Sequence, residues 1–143
     1  MTDWPAPGPD RDFSVMIGAV AGAPRLLLRL EGAAAAAAAT LLYHRLGGSW
    51  SWFALWFLAP DISIIGYVFG PRWGARLYNA AHSYIGPALL VLGAWATGHE
   101  AAILMAAIWV AHIGFDRLLG FGLKYQTGFG DTHLRWIGRT AQR

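Results

Sequence analysis

Four long apolar stretches, separated by short turns, dominate the pattern of this chain. Each runs for about 20 residues, the length that an α-helix needs to cross a hydrocarbon core of roughly 30 Å. The connections at residues 47–49, 70–72 and 98–100 each begin with glycine. Because such short turns make neighbouring helices antiparallel, the pattern predicts an all-α, integral membrane four-helix up-down-up-down bundle. The predicted spans are Leu26–Leu46, Trp50–Phe69, Trp73–Thr97 and Ala101–Phe121.

The two ends of the chain differ from this apolar centre. Residues 1–24 begin with a stretch that contains Pro and Asp and has no apolar periodicity, which is typical of a flexible tail. Residues 25–121 hold the predicted bundle. Residues 122–143 form a second tail, rich in glycine and aromatic residues and basic at its end. We therefore predict one membrane domain with a tail at each end.

The composition supports a membrane protein and excludes several other classes. Of 143 residues, 56% are hydrophobic and 13% are charged, and the mean hydropathy is +0.40. This length allows one domain, which excludes a two-domain soluble enzyme. Cys is absent, which excludes a thiolate zinc site, an iron–sulfur cluster and a cysteine nucleophile. The net charge of +3 comes from basic residues that flank the apolar stretches, so we predict no nucleic-acid partner.

The positions of Lys and Arg predict how the chain is oriented in the lipid bilayer. With four spans, both tails and the second connection share one side, and Arg45 is the one basic residue on the other side. Cytoplasmic segments carry the excess of Lys and Arg, so we expect a multi-pass protein of the cytoplasmic (inner) membrane with both termini in the cytoplasm. The predicted cytoplasmic basic residues are Arg11, Arg25, Arg72, Arg76, Lys124, Arg135, Arg139 and Arg143.

Several charged and polar residues fall inside the predicted spans, where a charge costs at least about 2.5 kcal/mol. Asp61, His82 and His112 each lie nine residues from the cytoplasmic end of a span. At the helical rise per residue, this places all three in one layer roughly 13 Å deep. Glu31 and Asp116 lie five residues from their ends, which predicts a second layer roughly 7 to 8 Å deep.

These residue types point to a metal site without sulfur ligands. His112 and Asp116 are four apart on one helix, so both side chains project from the same face. Imidazole and carboxylate ligands from several helices suit Zn²⁺, Mn²⁺ or non-haem iron. We predict His82, His112, Asp116 and Asp61 as metal ligands, and Asp61, His112 and Asp116 as catalytic residues.

A purely structural interpretation of the same residues stays open. Arg29 and Arg117 would neutralise Asp61 and Asp116, and the histidines would form neutral hydrogen bonds that set the helix register. Three carboxylates then face two arginines, so one acid and two histidines remain without an obvious partner. That remainder favours a bound cation or a proton relay.

The segment 120–134 also carries polar residues, among them Asp131 and His133. One interpretation is a lid under the bundle that supplies further ligands. The interpretation we favour is an aromatic tail at the level of the lipid headgroups, which is typical of Gly-rich segments with Phe and Tyr.

Four motifs give the chain a family resemblance. They are APDISIIGY (59–67), GPRWGARLYNAAHSY (70–84), WVAHIGFDRLLGFGLKY (109–125) and GFGDTHL (128–134). Residues 26 to 139 resemble a family of small bacterial four-span membrane proteins catalogued as a domain of unknown function. The resemblance implies the fold and the location, and it places the family's polar motif residues at Asp61, Tyr67, Asn79, His82, His112, Asp116, Lys124, Asp131 and His133.

A weaker likeness connects the chain to membrane-bound metal-dependent hydrolases. It consists of Pro60-Asp61 and His82-Ser83, while the basic stretch that precedes the His-Ser of those enzymes is replaced by Asn79-Ala80-Ala81. The likeness adds a little to the expectation of metal chemistry.

Three functions follow from the sequence as hypotheses. The first is a metal-dependent membrane enzyme that acts on a lipid or other apolar small molecule. The second is a proton- or cation-coupled transporter, which would need a homodimer because four spans are few for a pore. The third is a structural or assembly protein. Around the predicted ligands, we expect a supporting pocket of Glu31, Tyr67, Asn79, Arg117, Lys124, Asp131 and His133.

Overall fold

The computed structural model describes residues 19–134, which form a helical protein. The predicted tails at residues 1–18 and 135–143, including Arg11, Arg135, Arg139 and Arg143, lie outside the described residues. A 3₁₀ helix at Ala59–Phe69, called the 3₁₀ segment below, lies between the second and third α-helices. The five α-helices are α1 (Gly22–Arg45), α2 (Trp50–Phe57), α3 (Pro71–Ala81), α4 (Ile85–Thr97) and α5 (Glu100–Leu119).

Three helical stretches within residues 19–134 are long and apolar enough to cross a membrane. They are Gly22–Arg45, Trp50–Phe69 and Glu100–Leu119, and they agree with three of the four predicted spans. The predicted span Trp73–Thr97 is instead divided between α3 and α4. At 13 residues, α4 is about 20 Å long, which is shorter than a hydrocarbon core. The apolar stretches therefore support a membrane protein, but the expectation of four continuous spans is wrong.

The division between α3 and α4 has a local cause at Pro87. In a continuous helix, the ring of Pro87 would clash with the carbonyl of Ser83 and would leave it without an N–H donor. The structure instead places Pro87 in the first turn of α4, where proline is tolerated. The indole of Trp109 donates to the carbonyl of Ala81 over 2.6 Å, which satisfies one acceptor that the end of α3 exposes. His82 consequently lies immediately after α3 rather than inside a helix.

The 3₁₀ segment also departs from a plain membrane helix. Its first turn has a hydrogen bond from the N–H of Asp61 to the carbonyl of Leu58, three residues back, over 3.1 Å. Pro60 supplies no N–H at this point, so the α-helical bond is lost there. Eleven residues are long for a 3₁₀ helix, in which side chains three positions apart lie in one row. Asp61 and Tyr67 are therefore on the same side of this segment.

Helices α1 and α5 pack so closely that their backbones touch. A Cβ atom at Gly114 would lie 2.6 Å from the carbonyl oxygen of Gly32 and 2.7 Å from the backbone nitrogen of Ala36. Small residues permit this approach, which gives membrane helices van der Waals contact in place of a hydrophobic driving force. This contact fixes the position of α5, which carries two of the predicted metal ligands.

After α5, residues 120–134 fold back against the helices. Gly120 ends α5 with a φ of 88°, a left-handed conformation that favours glycine. An antiparallel bridge then joins Lys124 to Thr132, and the N–H of Val20 donates to the carbonyl of His133 over 2.7 Å. The two ends of the described chain are therefore adjacent. This returning segment buries polar and apolar side chains, so residues 120–134 pack against the helices, and their placement at the level of the lipid headgroups stays a prediction.

Candidate metal centre

Four side chains with metal-ligating atoms converge from three parts of the fold. Asp61 comes from the 3₁₀ segment, His82 follows α3, and His112 and Asp116 lie one turn apart on α5. One ligand atom from each residue lies within 4.8 Å of the other three. These are the four residues for which the sequence predicts metal ligation, and we refer to them as the metal cluster. Asp116 joins the same layer as the other three, which corrects its assignment to a shallower one.

The distances inside the metal cluster fall in a narrow range. The two imidazole Nε2 atoms are 3.2 Å apart. His82 Nε2 lies 3.4 Å from Asp61 Oδ1 and 3.4 Å from Asp116 Oδ2. His112 Nε2 lies 3.7 Å from each of the same two oxygens. At zinc–ligand distances near 2.0 to 2.2 Å, neighbouring ligands of a tetrahedral ion are separated by roughly 3.3 to 3.6 Å. Two of these five distances fall inside that range and the other three lie within about 0.1 Å of it, while the Asp61 and Asp116 atoms lie within 4.8 Å of each other.

The proton on His82 is placed by its second ring nitrogen. His82 Nδ1 lies 2.9 Å from the carbonyl oxygen of Tyr78, which accepts only, so the neutral imidazole carries its proton on Nδ1. The Nε2 atom then presents a lone pair to the cluster. Metal-bound histidines commonly donate their other N–H to a carbonyl or carboxylate in this way. The tautomer of His82 is thus the one that a metal requires.

Tyr78 is a functional neighbour that our sequence analysis missed. Its ring stacks on the His82 imidazole with a centroid separation of 3.7 Å. Its hydroxyl donates to Asp116 Oδ2 over 3.3 Å. Tyr78 precedes His82 by four residues, a spacing that places both residues on one helical face and offers a sequence signal for this pair.

Apart from the contact with His82 inside the cluster, the second histidine is held by packing. His112 is 1% exposed, and the ring of Phe57 contacts it edge-on at a centroid separation of 5.3 Å. Its Nδ1 atom is buried without a hydrogen-bond partner in the described part of the chain. The carboxylates differ in access, because the Asp61 side chain is 38% exposed and that of Asp116 is 16% exposed. Asp61 therefore lies on the open side of the cluster.

The two arginines of the structural interpretation are committed elsewhere. Arg29 Nε donates to the carbonyl of Leu118 over 2.7 Å. Arg117 donates to the carbonyl of His82 over 3.3 Å and to His133 Nε2 over 2.9 Å. The ion pairs within residues 19–134 join the cluster's histidines to its aspartates. Within residues 19–134, neither Arg29 nor Arg117 forms a direct ion pair with Asp61 or Asp116, so the hypothesis of arginine–aspartate pairs is wrong at contact distance.

Asn79 attaches the returning segment to α3. Its amide nitrogen donates to the carbonyl of Lys124 over 2.9 Å, and its amide oxygen accepts the N–H of Lys124 over 2.7 Å. The two bonds satisfy both backbone groups of one residue. Asn79 thus positions this segment beside His82 and is not one of the four clustered ligands.

The side chain of Lys124 is enclosed by aromatic rings. Its ammonium lies 3.5 Å from the centroid of Phe129 and 4.6 Å from that of Tyr78, and it donates to the carbonyl of Phe129 over 2.8 Å. Burial lowers the pKa of the Lys124 ammonium, while the carboxylates of Asp116 and Asp61 oppose that change. A positive charge therefore stands behind the cluster without contacting its ligand atoms.

His133 belongs to a different polar group. Arg117 Nη1 lies 2.9 Å from its Nε2 atom, and the N–H of Leu123 lies 2.9 Å from its Nδ1 atom. Burial, and next the charge of Arg117, lower the pKa of His133. A neutral imidazole accepts at one ring nitrogen only, so one of these two contacts is a hydrogen bond in a given tautomer, and the charge of Arg117 disfavours the protonated ring. His133 supports the fold beside Asp116 and lies outside the metal cluster.

The remaining predicted pocket residues have separate surroundings. Glu31 is exposed on α1, so the expectation that it shares a pocket layer with Asp116 is wrong. Asp131 is buried and accepts the hydroxyl of Thr127 over 2.7 Å within the returning segment. Tyr67 packs edge-on against Phe129, and its hydroxyl is buried without a hydrogen-bond partner in the described part of the chain. None of the three is among the four converging ligands.

Comparisons with known proteins identify a family and nothing beyond it. A family model described as Domain of unknown function (DUF4260) matches residues 25–137. No curated protein and no solved structure matches the chain. The likeness to metal-dependent hydrolases stays an expectation. The match covers both the apolar helices and all four residues of the metal cluster, and the chain belongs to the family described as Domain of unknown function (DUF4260).

Proposed function

We propose that the protein is a metal-dependent membrane enzyme that acts on a lipid or other apolar substrate. The observation that carries this proposal is the metal cluster, whose four ligand atoms lie within 4.8 Å of one another inside a largely apolar fold, with every histidine–histidine and histidine–aspartate distance between 3.2 and 3.7 Å. Two imidazoles and two carboxylates suit Zn²⁺, Mn²⁺ or non-haem iron. Unpaired charges are costly at membrane depth, so a cation that offsets both carboxylates explains why the cluster is kept there.

The cluster allows a division of roles between its members. His82, His112 and Asp116 are the more buried residues and would hold the ion as three protein ligands. Catalytic metal sites commonly use three protein ligands and leave a further position for water. Asp61 is the most exposed of the four and would take a proton from that water or coordinate as a fourth ligand. A metal at this site would supply water activated for hydrolysis near neutral pH.

Metal content tests the proposal directly. Protein purified in detergent after expression in metal-replete medium would be analysed by mass spectrometry, together with His112→Ala, Asp61→Ala and the control His99→Ala. His99 is an exposed histidine outside the cluster. We expect one metal per chain in the wild type and in His99→Ala, and a loss of at least about tenfold in His112→Ala. A metal-free wild type would overturn the proposal.

A proton- or cation-coupled transporter that works as a homodimer is the second candidate. The observation that favours it is the 3.2 Å separation of the two Nε2 atoms, which allows one proton to be shared between two imidazoles. Proton flux into vesicles that contain the metal-free protein would test it. A structural role predicts instead that His82→Ala and His112→Ala fail to fold, which size-exclusion chromatography would report.

The proposed location is the cytoplasmic membrane, with both termini on the cytoplasmic side. The adjacent positions of Val20 and His133 support placement of the two ends on one side. The excess of basic residues in the predicted cytoplasmic segments supports the direction. The chain contains no Cys, so single cysteines introduced near each end would report their side through labelling in intact cells.

A further inference from the structure

We propose that a cleft between the 3₁₀ segment, α4 and α5 binds the acyl chain of an ester-linked bilayer lipid. That this lipid is the substrate of the metal cluster rests on the proposed function. The cleft has a volume of about 360 Å³, within the size range of small-molecule sites. We call it the membrane cleft.

The membrane cleft is lined almost entirely by hydrocarbon. Trp56, Leu90, Met105, Ile108 and Trp109 contribute most of its large side chains. Among the described residues that line it, none is charged. A polar ligand would lose its hydration there without finding hydrogen-bond partners, whereas an alkyl chain would lose none. The lining therefore selects an apolar ligand.

The walls of the membrane cleft are adjacent to the metal cluster along the chain. Three lining residues are adjacent to cluster members in sequence or along a helical face: Pro60 precedes Asp61, Ala81 precedes His82, and Ile108 lies one turn before His112. The indole of Trp109, which also lines the cleft, is hydrogen-bonded to the carbonyl of Ala81 over 2.6 Å. A chain in the cleft would therefore lie next to the backbone that positions three of the four metal ligands.

The surroundings of the membrane cleft indicate a lipid as the source of that chain. The elements that form the cleft also present apolar residues to the outside: Leu89 and Leu92 on α4 are 63% and 60% exposed, and Ile62 and Ile65 on the 3₁₀ segment are 65% and 62% exposed. In a membrane such residues face lipid tails. The occupant that meets this cleft at the highest concentration is the acyl chain of the bilayer itself.

One polar group in the lining indicates an ester. Ser63 Oγ is buried and has no hydrogen-bond partner in the described part of the chain. A buried hydroxyl without a partner carries a desolvation cost, which a ligand acceptor would relieve. Ser63 lies two residues after Asp61, so a carbonyl oxygen that accepts from Ser63 belongs at the cluster end of the chain. The carbonyl of an acyl ester supplies such an acceptor, whereas an ether-linked chain offers only the weaker acceptor of its ether oxygen.

Photocrosslinking in vesicles tests the site. Protein would be reconstituted in phosphatidylethanolamine and phosphatidylglycerol that contain a phosphatidylglycerol with a diazirine in its acyl chain, and crosslinked peptides would be mapped by mass spectrometry. We expect the label on the peptides that contain Leu90 and Met105. Leu90→Trp fills the cleft and should lower this label at least about fivefold. The control Leu92→Trp adds the same indole to the exposed face of α4 and should leave the label unchanged.

Additional variants and assays distinguish a failure of the lipid site from a failure of the proposed enzyme. Equal labelling in Leu90→Trp and Leu92→Trp would overturn the proposal, and Met105→Trp replaces Leu90→Trp if that variant does not fold.

A competition assay between ester- and ether-linked phosphatidylglycerol tests the ester assignment. The wild type should prefer the ester, and Ser63→Ala should remove this preference. No preference in the wild type would overturn the ester assignment. Metal content is measured on the same samples. A metal-free protein that keeps cleft labelling would refute the proposed enzyme and retain the lipid site, and the reverse result would refute the lipid site alone.

Discussion

Two histidine-containing groups lie side by side at the end of α5, and they differ in how their polar atoms are satisfied. In the group formed by His133, Arg117 and Leu123, N–H donors point at both ring nitrogens of the histidine. In the metal cluster, the lone pair of His82 faces two carboxylates and a second imidazole. The first group surrounds a histidine with donors from the chain, and the second consists mainly of acceptors.

This difference separates a structural group from a binding site. Buried polar atoms in proteins almost always have partners, and the lone pair of a neutral His133 finds its donor in Arg117 or in the N–H of Leu123. Acceptors that converge on one point without enough donors require a cation or added protons. Tyr78 supplies one donor, to Asp116, and His112 Nε2 can supply another. The remaining lone pairs of the cluster are the basis of the proposed metal site.

Metal removal should produce the largest contrast between the two groups. A metal present at 100 times its dissociation constant stabilises the folded state by about 2.7 kcal/mol. A chelator should therefore lower the melting temperature of the wild type and of His133→Asn, which keeps the cluster intact. It should have no effect on His112→Ala. Thermal unfolding in detergent measures this contrast, and a chelator effect that survives in His112→Ala would place the metal elsewhere.

Loss of Arg117 should damage the structural group and spare the metal. Arg117→Met leaves the carbonyl of His82 and the Nε2 atom of His133 without a donor, at a cost of about 1 to 3 kcal/mol for a buried group. The metal content should stay near one per chain. The exposed residue Arg25 offers the matched control Arg25→Met, which should leave the unfolding transition in place. Metal loss in Arg117→Met without loss of stability would contradict the separation of the two groups.

Loss of Asn79 should open the returning segment. Asn79→Ala removes two hydrogen bonds to the backbone of Lys124, each worth about 0.5 to 1.5 kcal/mol. Trypsin cleaves after Lys124 only when this buried lysine becomes accessible, so the rate of cleavage there should rise roughly tenfold. Mass spectrometry of the fragments measures the rate, with Thr97→Ala on the exposed face of α4 as the control. Unchanged cleavage would show that another contact holds the segment.

The smallest expected effect is a pH dependence from His133. Its pKa is lowered in the folded state, so the unfolded chain binds the proton more readily once the pH falls below about 6.5. Stability should therefore fall as the pH drops from that value towards the folded pKa. Arg117 is the charged neighbour in contact with this ring. The difference between wild type and His133→Asn isolates the contribution, and identical pH profiles would refute it.

Much of the metal cluster could be predicted because a helix has a fixed rise per residue. The number of residues between each side chain and the predicted cytoplasmic end of its span placed Asp61, His82 and His112 in one layer. In the structure, these three side chains converge. The spacing of His112 and Asp116 correctly predicted a shared face. The apolar stretches likewise predicted three helices that are long enough to cross a membrane.

The wrong predictions concern features that the depth of a residue along its span does not determine, such as the direction in which its side chain points. Glu31 has a depth similar to that of Asp116, but α1 presents it to the outside because the face with Gly32 is packed on α5. The break after α3 was missed because apolar periodicity continues through it, although Pro87 was a local signal. The pairing of Arg117 with His133 depends on how residues 120–134 fold back, which no periodicity encodes.

The 3₁₀ conformation of residues 59–69 determines two things at once: the direction of the Asp61 side chain and the length of the apolar stretch Trp50–Phe69. An α-helix of the same 11 residues would be about 5.5 Å shorter, because its rise per residue is about 0.5 Å smaller. It would also rotate Tyr67 by about 120° relative to Asp61, since the two residues are six positions apart. Hydrophobic mismatch between this span and the surrounding bilayer therefore acts on the same backbone torsions that direct the carboxylate at the cluster.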